Sequence, residues 1–78
     1  MIFFKNTVVN EFTVDFEALE GEKSIGRCTL ILKDNIADVT ELVFCEDAPY
    51  AVEGLLRSAY NYAGLKSYYA AKCTAKNI

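Results

Sequence analysis

Apolar and polar positions alternate along the first part of the chain. Phe12, Val14 and Phe16 are interleaved with Thr13, Asp15 and Glu17, the two-residue period of a strand with one buried face. Val8 and Val9 suggest that ordered structure begins earlier, and the first strand is predicted at about 10–18. Leu19-Glu-Gly-Glu-Lys23 then supplies a polar, glycine-containing connection of hairpin length. A second strand is predicted at 25–33, with Cys28, Leu30 and Leu32 on one face and Thr29 and Ile31 on the other. Lys33-Asp-Asn35 reads as a turn, and 36–45 as a third strand whose end, Leu42-Val-Phe-Cys45, is apolar on both faces. Short connections of this kind join antiparallel neighbours, so these strands form a meander.

At residue 48 the period changes. Val52, Leu55, Leu56, Ala59 and Ala63 lie along one stripe of a helix, with Glu53, Arg57 and Asn61 on the opposite side. Asp47 is a suitable N-cap, Pro49 fits a first turn whose amides lack partners, and Gly64 is a suitable stop. The helix is therefore predicted at 48–63. Beyond it, the apolar run from Leu65 to Cys73 predicts a strand at 66–73, covered on both faces or paired beyond its edge. The fold class is α+β: an antiparallel β-meander of about three strands, then a β-α-β crossover whose one amphipathic helix packs on the sheet. The two strands of that crossover would be parallel.

Seventy-eight residues, 53% hydrophobic, make a single domain, 1–78, rich enough in apolar side chains to fold at that size. The net charge of −3, with scattered lysines and arginines, lacks the concentrated positive footprint that nucleic acid needs. The apolar start, Met1-Ile-Phe-Phe, is too short for a signal sequence or a membrane span, so a cytoplasmic location is expected. Cys28, Cys45 and Cys73 match neither a metal spacing nor an even disulfide set, and no histidine is present. No metal site is expected, and the cysteines read as small buried apolar residues.

The element order resembles the central part of the GNAT acyltransferase superfamily. Ser24-Ile-Gly-Arg-Cys-Thr-Leu30 is similar to the family's second strand, where a glycine often follows an aliphatic residue. Ala37-Asp-Val-Thr-Glu-Leu-Val-Phe44 is similar to the strand beside the cofactor. Gly54-Leu-Leu-Arg-Ser-Ala-Tyr-Asn-Tyr-Ala63 looks like the helix that follows, and Gly64 to Ala71 like the next strand. The resemblance spans about 12–73 and implies a GNAT-like half with acetyl-CoA as cofactor. Its pantetheine arm would lie along Val43, Phe44 and Cys45, with its phosphates near Tyr50, Ala51 and Val52.

The chain departs from the family where the phosphates would bind. The family opens this helix with a glycine-rich loop whose backbone amides and partial positive charge hold a pyrophosphate. Here the stretch is Glu46-Asp-Ala-Pro-Tyr-Ala-Val-Glu-Gly54, without paired glycines and with two carboxylates. The family also continues into a helix that carries a general-acid tyrosine. Tyr68 and Tyr69, on the preceding strand, do not take that role, and the acceptor-binding half would have to come from a second chain.

Two catalytic candidates follow from the resemblance. Glu41 stands where some family members use a carboxylate to take the amine's proton, against the plain reading of a surface glutamate. Cys45 stands near the thioester's approach, against the plain reading of a structural cysteine with no base beside it. Gly54, unfavourable inside a helix, implies that either the sheet or a ligand packs close.

Two functions are expected. The first is a non-enzymatic scaffold that acts as a homodimeric interaction module through an exposed strand edge at 66–73. The second is an acetyl-CoA or acyl-CoA-binding N-acyltransferase-like domain completed by dimerisation.

Overall fold

The computed structural model describes residues 2–66, 68 and 70–74. It has five strands and one helix: β1 (Ile2–Asn10), β2 (Thr13–Glu20), β3 (Lys23–Lys33), β4 (Ile36–Phe44), α1 (Tyr50–Leu65) and β5 (Ala70–Cys73). All five strands form one sheet in the order β1-β2-β3-β4-β5. β1 to β4 are antiparallel, and β5 runs parallel to β4 after the helical crossover. The meander thus has four strands rather than about three.

The strand missing from the sequence reading is β1. Ile2-Phe-Phe-Lys-Asn-Thr-Val-Val-Asn10 has no clean alternation, because most of this edge strand is exposed on both faces and only Ile2 and Phe4 are half-buried. Its turn into β2 is closed by the Asn10 Oδ1, which accepts the Phe12 amide at 2.8 Å. Phe12, expected on the buried face, is instead exposed in that turn.

The other two hairpins follow their turn residues. Glu20 pairs with Lys23 across Gly21-Glu22, and Gly21 has the positive φ of 66° that a tight hairpin requires. Lys33 pairs with Ile36 across Asp34 and Asn35, both at positive φ, the conformation of a type I′ turn.

α1 lies on one face of the sheet and buries Ala51, Leu55, Ala59 and Ala63. They meet Val14, Phe16 and Ala18 of β2, Cys28, Leu30 and Leu32 of β3, and Ala37, Val39 and Leu42 of β4. Burying a leucine such as Leu30 or Leu55 contributes roughly 1.5–3 kcal/mol. The buried stripe is rotated from the predicted one: Ala51 lies inside, while Val52 and Leu56 are partly buried flanks. The opposite face of the sheet carries charged rows such as Lys5, Glu17 and Arg27, paired across β1, β2 and β3, as on a solvated antiparallel face.

Both predicted helix boundaries move. Pro49, not Asp47, holds the N-cap position, and no side chain caps the helix. Gly64 is helical and Lys66 is the C-cap, so the stop falls later than the glycine suggested. β5 is shorter than 66–73, and its four residues are exposed rather than covered. Ser67 and Tyr69 of the predicted strand lie outside the described residues. Only Cys28 of the three cysteines is buried; Cys45 is half-buried and Cys73 exposed.

Candidate functional site

β4 changes character along its length. Its first four residues, Ile36 to Val39, have neighbours on both sides, β3 and β5. The pairing with β3 then slips: Leu30 faces Val39 and Thr29 faces Glu41, which leaves Thr40 as an extra residue in a bulge. The bulge shifts the alternation, so that burial passes from Ala37 and Val39 to Leu42. Among the described residues, the ladder with β5 ends at Val39 and Cys73, where the Thr74 amide donates to the Val39 carbonyl at 3.0 Å. Among the described residues, Thr40 to Phe44 of β4 is paired to β3 alone.

The residues expected to hold a pantetheine arm lie on this half-paired stretch. Val43, Phe44 and Cys45 line a shallow hollow of about 160 Å³ together with Ser24, Ile25, Gly26 and Arg27. Ser24, Gly26 and Arg27, not expected at the site, are brought there by the cross-strand register, Gly26 with Phe44 and Arg27 with Val43. Gly26 is also where the helix presses on the sheet. A Cβ at that position would lie 3.1 Å from Leu55 Cδ1, 3.2 Å from the Val43 carbonyl oxygen and 3.4 Å from Ala51 Cβ.

Cys45 is tied to the strand end. Its amide donates to the Ile25 carbonyl at 2.9 Å, and its thiol reaches the Ser24 carbonyl at 3.6 Å. Glu41 is exposed and lies across from Thr29. Four strand positions separate Glu41 from Cys45, about 13 Å at the usual rise. The two catalytic candidates are therefore too far apart to act together on one atom.

The helix start offers little to an anion. The Ala51 amide donates to the Ala48 carbonyl at 3.1 Å, and the Val52 amide donates to the Pro49 carbonyl at 3.2 Å. Ala51 itself is fully buried, Val52 is half-buried, and Tyr50 is exposed. The Tyr50 hydroxyl donates to Glu20 Oε2 at 3.4 Å. Desolvation, followed by the charge of Glu20, pushes its pKa above the ordinary phenol value. The first turn is thus lined by Glu20, Asp47 and Tyr50, with two of its amides already bonded.

Gly54 answers to the sheet. A Cβ there would run into the Phe4 ring of β1, with two further ring atoms at 2.7 and 2.9 Å. No group of three or more potential metal ligands occurs among the described residues. No helix among them is long and apolar enough to cross a membrane.

Compared by sequence, the chain matches no protein-family model and none of the curated proteins. Its fold does have solved counterparts. One is an aminoglycoside acetyltransferase from an uncultured soil metagenomic sample in complex with sisomicin, at a TM-score of 0.73 and 14% identity. Another is the same enzyme in complex with trehalose, at a TM-score of 0.72 and 14% identity. In both comparisons 87% of this chain is matched, but only 50% of the solved chain. The chain therefore shares the fold of about half of that acetyltransferase chain.

Proposed function

We propose that this chain is an acyl-CoA-binding, N-acyltransferase-like half-domain that receives the pantetheine arm along Thr40–Cys45 of β4. The supporting observation is the β4 bulge at Thr40, beyond which the strand has, among the described residues, a neighbour on one side only. Backbone groups without a strand partner suit the amides of a pantetheine chain, which bonds to a strand edge much as another strand would. The ligand would be acetyl-CoA or a related acyl-CoA. With the Ala51 and Val52 amides already bonded, its phosphates would remain largely in solvent. Among the described residues neither Glu41 nor Cys45 has a partner base, so the acceptor's proton would go to a group supplied by a second chain.

A titration of ¹⁵N-labelled protein with acetyl-CoA tests this reading. Amide shifts confined to Thr40–Cys45 and their β3 partners, saturating below a few millimolar, are expected. Unmoved amides and no calorimetric heat over that range overturn it.

The acidic first turn favours a second reading, a non-enzymatic module that keeps the fold without the ligand. It accounts better for Glu46 and Asp47 beside a helix start whose amides are bonded. That module would act through self-association at a sheet edge. It stands if the titration is silent while the protein proves dimeric.

A further inference from the structure

The sheet has two edges among the described residues, and they differ in what they offer. β5 spans four described residues, Ala-Ala-Lys-Cys, and so offers a short edge among them. β1 is nine residues, Ile2–Asn10, about 30 Å of strand at the usual rise. Among the described residues its outer backbone groups have no strand partner, it has no proline and a single charge, Lys5, and its one bulge, at Val9, lies near its end and leaves Ile2–Val8 regular. Phe3, Val8 and Val9 are 62%, 60% and 56% exposed along it.

We propose that β1 pairs antiparallel with β1 of a second copy about a two-fold axis through Asn6, joining two five-stranded sheets into one of ten strands. The register follows from the residues. A two-fold axis perpendicular to the sheet pairs only residues that face the same side, so a one-residue slip is excluded. Three same-face registers then remain near the middle of the strand. Centring on Lys5 sets the two lysines directly against each other. Centring on Thr7 sets Val8 against Asn6, Phe4 against Asn10 and Lys5 against Val9. Centring on Asn6 sets Phe4 against Val8 and Lys5 against Thr7, and brings Phe3 beside the bulge at Val9. Only this last register gives Phe4 a β-branched partner within the regular part of the strand and keeps the lysines apart, and such aromatic and β-branched pairs stabilise neighbouring strands.

The same register suits the core. On the helix face, Phe4 already packs over Gly54 and belongs to the margin of the buried cluster, as does Ile2. Both helices of the dimer lie on that one face, so Phe4 of each copy beside Val8 of the other would join the two cores beneath them. The interface would be smaller than the ~1,600 Å² of a standard one, and its Kd would lie in the micromolar range. The pairing does not depend on acyl-CoA binding.

Sedimentation equilibrium at protein concentrations up to ~500 µM, well above a micromolar Kd, provides the test. The wild type is expected to dimerise, and Val8→Lys, at an exposed position, to weaken the dimer at least ~10-fold by setting a charge against Phe4 of the second copy. Asn6→Cys in a Cys45→Ser, Cys73→Ser background checks the register. Directly opposed residues have Cα atoms about 4.5–5.5 Å apart, within disulfide range, so this variant should form an intermolecular disulfide under mild oxidation. Thr7→Cys in the same background should not, because its own copy across the axis is about 8 Å away. A wild type that stays monomeric throughout overturns the proposal. So does a dimer that tolerates Val8→Lys and leaves the Asn6→Cys thiol free.

Discussion

The helix contacts the sheet at two places built on opposite principles. Over β2, β3 and β4 it presents Ala51, Leu55, Ala59 and Ala63, small side chains and one leucine against a continuous apolar floor. Over β1 it presents Gly54, an absence of side chain, to one aromatic ring. At the centre, stability comes from many partners around each residue. At the edge it comes from one ring in one notch, on a strand that most of its other residues leave exposed. The centre should therefore suffer most from lost volume, and the edge from added volume.

The largest effect expected is at the centre. Leu55→Ala removes a fully buried side chain whose Cδ1 sits over Gly26, and should cost about 2.7–5 kcal/mol in urea unfolding. In a domain of this size such a loss approaches the whole stability. A cost below about 1 kcal/mol would mean that the helix is not held by this seam.

The edge should respond to the opposite change. Gly54→Ala removes a helix penalty of about 0.8–1.0 kcal/mol but drives a methyl group into Phe4. Overpacking of this kind costs about 1–3 kcal/mol, so a net loss of about 1 kcal/mol is expected. In a Phe4→Ala background the clash is gone and the same substitution should become stabilising. A double-mutant cycle in denaturant measures this coupling directly. Additive effects would show that the Phe4 ring does not rest in the notch.

How much of this was legible in the sequence also divides between centre and edge. β2 and β3 are buried on one face, so burial imprints a period of two on Val14, Phe16, Cys28, Leu30 and Leu32. Asp34, Asn35 and Gly21 mark turns because positive φ suits few other residues. β1 has no such imprint, because a strand exposed on both faces is under no pressure to alternate. The Gly54 notch was hidden for the same reason: the glycine was conspicuous, but its partner lay on a strand that was not recognised. The helix stripe was misjudged by one position because an alanine carries little hydrophobic signal, and Ala51 lost to Val52. At the site, the apolar stretch Val43–Cys45 was visible. The Thr40 bulge, and the register that adds Ser24 and Arg27, arise from pairing with β3 and leave no mark on β4 alone.

The contrast extends to the cysteines. Cys28, on central β3, directs its thiol toward the Leu55 carbonyl at 3.9 Å; burial, then the charge of Asp15, pushes its pKa from 9.0 to about 12. The folded chain thus keeps a proton that the unfolded chain loses between pH 9 and 12, and stability falls as pH rises through that window. Tyr50 and Tyr60 are also shifted upward and act in the same sense. Cys28→Ala isolates the thiol: the variant should lose less of its stability between pH 8 and pH 10.5 than the wild type does. A thiol reagent at pH 8 should label exposed Cys73 rapidly and Cys28 only on unfolding. Equal labelling of the two would place Cys28 outside the seam.

The smallest effect expected is the most discriminating, because it repeats a substitution on the same helix. Gly64 lies in the last turn of α1, and a Cβ there would meet nothing within 4 Å among the described residues. Its φ is not positive, so no conformation reserved for glycine is being used. Gly64→Ala should therefore raise stability by up to about 1 kcal/mol, and less if the last turn frays. Gly54→Ala, made ten positions earlier in the same helix, should lower it. Helix propensity alone would give both substitutions the same sign. Opposite signs in parallel urea titrations would separate propensity, common to both sites, from the Phe4 contact found only at the first.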